Sequence, residues 1–129
     1  YPDAQRSLIA GNLIDGNGEG IIFSGAEGYA SSGNLVLRNV ISGSQLRSNV
    51  EHYWEQPQRI GSGNVVARNC LGGAVQGDFA LPIQGYAARG NARGTLAFMD
   101  RVDDDLRLAP GSGCRAWLLG RVLPLAPFA

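Results

Sequence analysis

The chain has 129 residues, eleven basic against eleven acidic side chains, and 19 glycines; 17% of it is charged and 44% hydrophobic. That length suits one domain. The apolar share argues against disorder, the glycines lack the three-residue period of collagen, and balanced charge removes the electrostatic footprint of a nucleic-acid binder. Tyr1 opens the chain without a Met, a basic stretch or an apolar leader core, and no apolar run reaches the ~18 residues of a membrane span. The expectation is a mature product or, preferably, a C-terminal fragment of a longer chain.

Three segments then align without gaps: residues 7–16, 34–43 and 64–73. Asn12, Asn39 and Asn69 share one column, separated by 27 and then 30 residues. Gly16, Gly43 and Gly73 form a second column, and Gly11, Arg38 and Arg68 a third. A weaker fourth copy at 91–99 opens on Gly90-Asn91, continuing the pairs Gly33-Asn34 and Gly63-Asn64. Within each copy, β-branched and aliphatic runs of three or four residues flank the Asn and read as short strands between turns. Glycine interrupts every helical window. The exception is 47–55, which lacks Gly and reads either as a turn of helix or as an extended excursion.

Strands this short, in a repeat near 30 residues, fit a coil of three strands whose parallel stacking brings equivalent residues about 4.8 Å apart. A stacked Asn can donate and accept along such a column. Leu8, Leu35 and Val65 with their alternates are expected to point inward. For the next strand two columns stay open: Leu13, Val40 and Cys70, or Ile14, Ile41 and Leu71.

The runs Gly-Asn-Leu-Val-Leu-Arg-Asn-Val-Ile-Ser-Gly-Ser and Gly-Asn-Val-Val-Ala-Arg-Asn-Cys-Leu-Gly-Gly resemble the repeats of right-handed parallel β-helix proteins, the pectate-lyase-like superfamily. Asp-Asp-Asp-Leu-Arg-Leu-Ala-Pro-Gly-Ser-Gly-Cys, within 98–114, resembles the segment that closes the last coil in many bacterial members. The resemblance covers about residues 5–116. It implies an all-β, right-handed parallel β-helix of about three to four coils over residues 1–100, with a closing segment and C-terminal capping tail over 101–129. It also implies a secreted or cell-surface bacterial protein that binds polysaccharide, or belongs to a larger lyase, glycoside hydrolase or epimerase. The alternative is a non-catalytic surface module whose role is assembly, as a homo-oligomer or with the rest of a longer chain.

Few residues carry recognisable chemistry. Asp15, beside Asn17 and Glu19, is a candidate acid, yet the same column holds Ser42 and Gly72, which makes a turn residue the simpler reading. The run Glu51-His52-Tyr53-Trp54-Glu55 holds the single His; His52 or Tyr53 could move a proton, and Tyr53 and Trp54 could stack on sugar, against the plainer reading of a loop packed on the side. Arg38 and Arg68 could hold an anionic sugar. Asp103, Asp104 and Asp105 invite calcium, but consecutive carboxylates diverge, and a solvated turn is favoured. No cofactor and no metal centre is otherwise indicated. Cys70 lies in an apolar column and reads as a small buried side chain; a bridge to Cys114 would pin the tail to the third coil and agree with export.

Overall fold

The computed structural model describes residues 3–55 and 60–115. Its strands are β1 (Leu8–Ala10), β2 (Leu13–Asp15), β3 (Ile21–Ala26), β4 (Tyr29–Ala30), β5 (Leu35–Leu37), β6 (Val40–Ser42), β7 (Val50–Trp54), β8 (Asn64–Ala67), β9 (Cys70–Gly72), β10 (Tyr86–Arg89), β11 (Ala92–Arg93), β12 (Phe98–Asp100) and β13 (Asp105–Leu108). The first sheet has the order β1-β5-β8-β10 and the second β11-β9-β6-β2, every pair parallel. In the third, β3 pairs in parallel with β7 and antiparallel with β4, and a parallel bridge joins Val50 to Phe79. The chain therefore visits the three sheets in turn and returns, one circuit after another. This all-β arrangement is compatible with a β-helix-like solenoid.

Circuit by circuit, Leu8 pairs with Leu35 and Leu35 with Val65, while Leu13 pairs with Val40 and Val40 with Cys70. The fourth circuit departs from the repeat alignment. Tyr86, not Asn91, is the partner of Asn64, and Ala92 is the partner of Cys70. Gly90 consequently belongs with Gly11, Arg38 and Arg68, all four at φ between 55° and 71°. That column is the bend between first and second sheets, where the chain turns within two residues. A left-handed conformation costs a non-Gly residue ~1 kcal/mol or more, so glycine at two of the four positions is understandable and arginine at the other two is tolerated strain.

Each bend is followed by an Asn. The backbone N–H and side-chain amide of Asn12 both donate to Asn39 Oδ1, at 2.9 and 3.1 Å. Asn39 repeats this on Asn69, at 2.9 and 3.0 Å, and Asn69 on Asn91, again at 2.9 and 3.0 Å. Asn39 and Asn69 are fully buried. A tight bend leaves backbone groups that no strand ladder satisfies, and a stacked amide supplies partners from one circuit to the next. A second ladder runs at the entrance to the first sheet, from Ser7 N to Asn34 Oδ1 (2.9 Å) and from Asn34 N to Asn64 Oδ1 (3.1 Å).

Strand parity settles the inward columns. Ile9, Val36, Val66 and Ala88 face the main core with Ile14, Ile41 and Leu71, joined there by Phe23, Val50, Trp54 and Tyr86. Leu8, expected inside, is 64% exposed, and Leu35 and Val65 are only half-buried. Three consecutive apolar residues in Leu35-Val36-Leu37 hide the alternation, and a one-residue shift exchanges the faces. Residues 50–54 are extended, so the excursion at 47–55 contributes a third-sheet strand, not a turn of helix.

Tyr86 packs against Phe23, ring centroids 5.1 Å apart, and its hydroxyl is buried without a hydrogen-bond partner among the described residues. Burial, then the charge of Glu51, raises the phenol's pKa far above its ordinary value. Above pH ~10 the unfolded chain ionises this phenol while the folded one keeps it neutral, so the unfolded state binds fewer protons. Stability is then lost as pH rises, at about 1.4 kcal/mol per pH unit from this group. Comparing urea denaturation of Tyr86→Phe and the parent at about pH 9 and about pH 11 isolates that share. The variant should lose less on alkalinisation and lose nothing at neutral pH; equal alkaline losses would contradict the assignment.

The tail does not cap the end of the stack in its described part. Thr95 and Ala97 pair with Gly113 and Ala109 (3.0 and 2.8 Å), and β12 and β13 form a hairpin. Cys114 is bonded to Cys70, Cα atoms 5.9 Å apart, and both are fully buried beside Val40, Ala92 and Leu96. Arg101, in the hairpin turn, binds the carboxylate of Asp15 in the first circuit. The segment thus runs back over the outer face of the second sheet. Of the two columns left open by periodicity, partly buried Ile14 with buried Ile41 and Leu71 faces the main core, while Val40 and Cys70 are buried under the tail and Leu13 stays exposed.

Candidate functional site

The third sheet presents the most chemistry. On β7, Val50 and Trp54 enter the core while Tyr53 points out, 40% exposed. The phenol of Tyr53 donates to Glu19 Oε2 at 2.9 Å, and the Arg47 guanidinium lies 5.6 Å from the ring centroid. Arg47 Nε is also 3.9 Å from Glu19 Oε1. Partial burial, and then the bond to Glu19, hold the Tyr53 phenol above its ordinary pKa, with Arg47 pulling the other way. The ring is thus fixed at its tip by a carboxylate and flanked by a cation.

Beside it opens a cleft of about 610 Å³ lined by Ser24, Gly25, His52, Tyr53, Trp54 and Glu55, among others. His52 Nε2 lies 3.0 Å from the Pro82 carbonyl. A carbonyl only accepts, so this nitrogen carries the proton and donates it. The imidazole is stacked near Trp54, centroids 6.3 Å apart. Glu55 Oε2 accepts the backbone N–H of Glu27 at 2.7 Å, and buried Glu51 accepts that of Ser48 at 3.0 Å.

Other candidates are placed elsewhere or differently. Trp54 is 9% exposed, with its indole N–H donated to the Gln84 carbonyl at 2.8 Å. Its ring belongs to the core, so it offers no open platform for sugar stacking. Gly85 lies so close that any β-carbon there would collide with the indole. The Asp15 carboxylate is already engaged: it accepts from Ser42 Oγ at 2.6 Å and from Arg101, and its side chain is 6% exposed. It anchors the hairpin. Arg38 and Arg68 occupy the bend between the first and second sheets, apart from the Tyr53 cleft. Arg38 lines a separate cavity of about 510 Å³ with Leu13, Val40, Leu106 and Leu108.

Asp103 and Asp104 lie in the hairpin turn, Asp104 at φ 59°, and Asp105 opens β13. Asp105 accepts from Arg107 at 2.8 and 2.6 Å, which holds its carboxyl below the usual range. Among the described residues no group of three or more His, Cys, Asp or Glu is arranged to hold a metal ion.

The residues that sequence reasoning passed over are Arg47 as a partner of Tyr53, and Glu19 in that same role. They meet only because Ser24 of β3 lies beside Tyr53 of β7, which carries the turn before β3 to the ring. Knowing the register, one would have looked for polar residues shortly before β3. Comparison with protein-family models, with curated proteins and with solved structures finds no match for this chain.

Proposed function

We propose that this chain is a right-handed parallel β-helix module of a secreted or cell-surface protein, and that it binds polysaccharide on the third sheet, alone or as part of a larger enzyme. The single observation that carries the reading is the exposed, oriented ring of Tyr53 at the mouth of the cleft. A sugar ring presents C–H groups on one face and hydroxyls at its rim. An aromatic face takes the former, and Glu19, Glu55 and His52 offer hydrogen-bonding groups to the latter. The Cys70–Cys114 bond agrees with an oxidising compartment. His52 contributes by position, since its Nε2 proton is already engaged.

Titration of Tyr53→Ala and Tyr53→Phe with glycans first retained on an array tests this. Losing the ring should weaken binding ~10-fold or more, equivalent to ~1.4 kcal/mol, while Tyr53→Phe should stay within several-fold of the parent. Equal affinity of parent and Tyr53→Ala would place the glycan elsewhere. The second reading, assembly, is favoured by exposed Leu8, Leu13 and Ile22 on strands β1, β2 and β3. If no glycan is retained and the same samples self-associate by light scattering, assembly replaces binding.

A further inference from the structure

We infer that the Tyr53 cleft selects amino sugars and disfavours uronates, an inference that rests on the glycan-binding reading above. Charge around the ring decides it. Glu19 holds the Tyr53 hydroxyl, Glu55 lines the cleft, and Glu51 lies close enough to raise the Tyr53 phenol's pKa. Against these three carboxylates stands Arg47, itself engaged with Glu19. Among the described residues, carboxylates are in excess around the ring.

How the carboxylates are satisfied matters as much as their number. Among the described residues, Glu51 and Glu55 are met by backbone N–H groups, of Ser48 and Glu27, and not by guanidinia. A backbone donor stabilises the ionised carboxylate without cancelling its charge. Glu51 is 4% exposed, so water screens its field less than it would at an open surface. His52 has its Nε2–H committed to the Pro82 carbonyl. The result is a shallow, negatively biased cleft with an aromatic wall. An ammonium brings three donors to carboxylate oxygens and is attracted to the face of a tyrosine ring. A uronate carboxylate would enter against like charge and, among the described residues at the ring, would find only Arg47, already shared, to meet it.

The test compares three oligosaccharides of equal length by calorimetry: fully deacetylated glucosamine oligomers, their N-acetylated counterparts, and oligogalacturonate. Mildly acidic, low-salt buffer keeps the sugar amine protonated and leaves charge effects little screened. The glucosamine oligomer should bind ~10-fold more tightly than the acetylated one, with galacturonate weakest, and added salt should erode the difference. Glu55→Gln keeps an acceptor for the Glu27 N–H and removes one charge. It should shrink the amine preference, read as the ratio of the two affinities, several-fold. Galacturonate binding as tightly as glucosamine, or a preference untouched by Glu55→Gln, overturns the selectivity and leaves glycan binding standing. Binding of none of the three overturns the selectivity, and the array with Tyr53→Ala then decides glycan binding separately.

Discussion

Replacing Cys70 and Cys114 together by alanine is expected to destabilise the fold by about 4 kcal/mol, the loop-closure value for a separation of 44 residues. For a domain of this size that is a large share of the ~5–15 kcal/mol available. The bond acts twice: it restricts the unfolded chain, and it holds the tail over Val40, Ala92 and Leu96. Urea denaturation of the double variant should show the lowered midpoint, and reductant added to the parent should reproduce it. Hydrophobic-dye binding should rise at the same time, because the face under the tail opens. A loss below about 1 kcal/mol would mean that the hairpin, held by Arg101 on Asp15, keeps the tail in place unaided.

The second large effect lies in the Asn ladder. Asn69→Ala removes the acceptor for both the N–H and the amide of Asn39, and the donor to the Val36 carbonyl at 2.9 Å. All of these groups are buried, and each unsatisfied one costs ~1–3 kcal/mol. A loss of about 4 kcal/mol is therefore expected, enough to leave a marginal fold. Asn12→Ala, in the same column, keeps the backbone N–H bond to Asn39 Oδ1 and removes only the side-chain bonds to Asn39 Oδ1 and the Ala10 carbonyl, both 3.1 Å, from an exposed residue, so it should cost under about 1 kcal/mol. Chemical denaturation of both variants checks the contrast. Equal losses at the two positions would show that the ladder acts through the backbone bend alone, not through buried amides.

What the sequence made legible follows from how strictly each feature repeats. Asn12, Asn39 and Asn69 align without gaps because one tight bend, with one set of backbone groups to satisfy, recurs in each circuit. The fourth circuit was misaligned because Tyr86 replaces Asn at the entrance to the first sheet, so Gly90-Asn91 mimicked the wrong corner. At Leu35-Val36-Leu37 every residue is apolar, and only burial distinguishes the faces. The Tyr53 cleft was half visible. An aromatic cluster on a glycine-free stretch drew attention, but which of Tyr53 and Trp54 faces solvent depends on strand parity. Partners supplied by a neighbouring circuit, such as Glu19, leave no local trace. The path of the tail was the least legible, since its two attachments, Cys70–Cys114 and Asp15–Arg101, are single events without a repeat to betray them.

The returning tail also bears on the order in which the protein can be completed. In a stack where each layer touches only its neighbours, early layers can settle while later ones are still being made, and the ends can peel away one at a time. Here Asp15 waits for Arg101, 86 residues further along, and Cys70 waits for Cys114. The first circuit therefore obtains this partner only after the later circuits have been made. Once Arg101 and Cys114 are in place, loosening any one layer strains a strap fastened to others. A linear array is thereby tied into a loop of dependencies, one that opens as a unit instead of fraying.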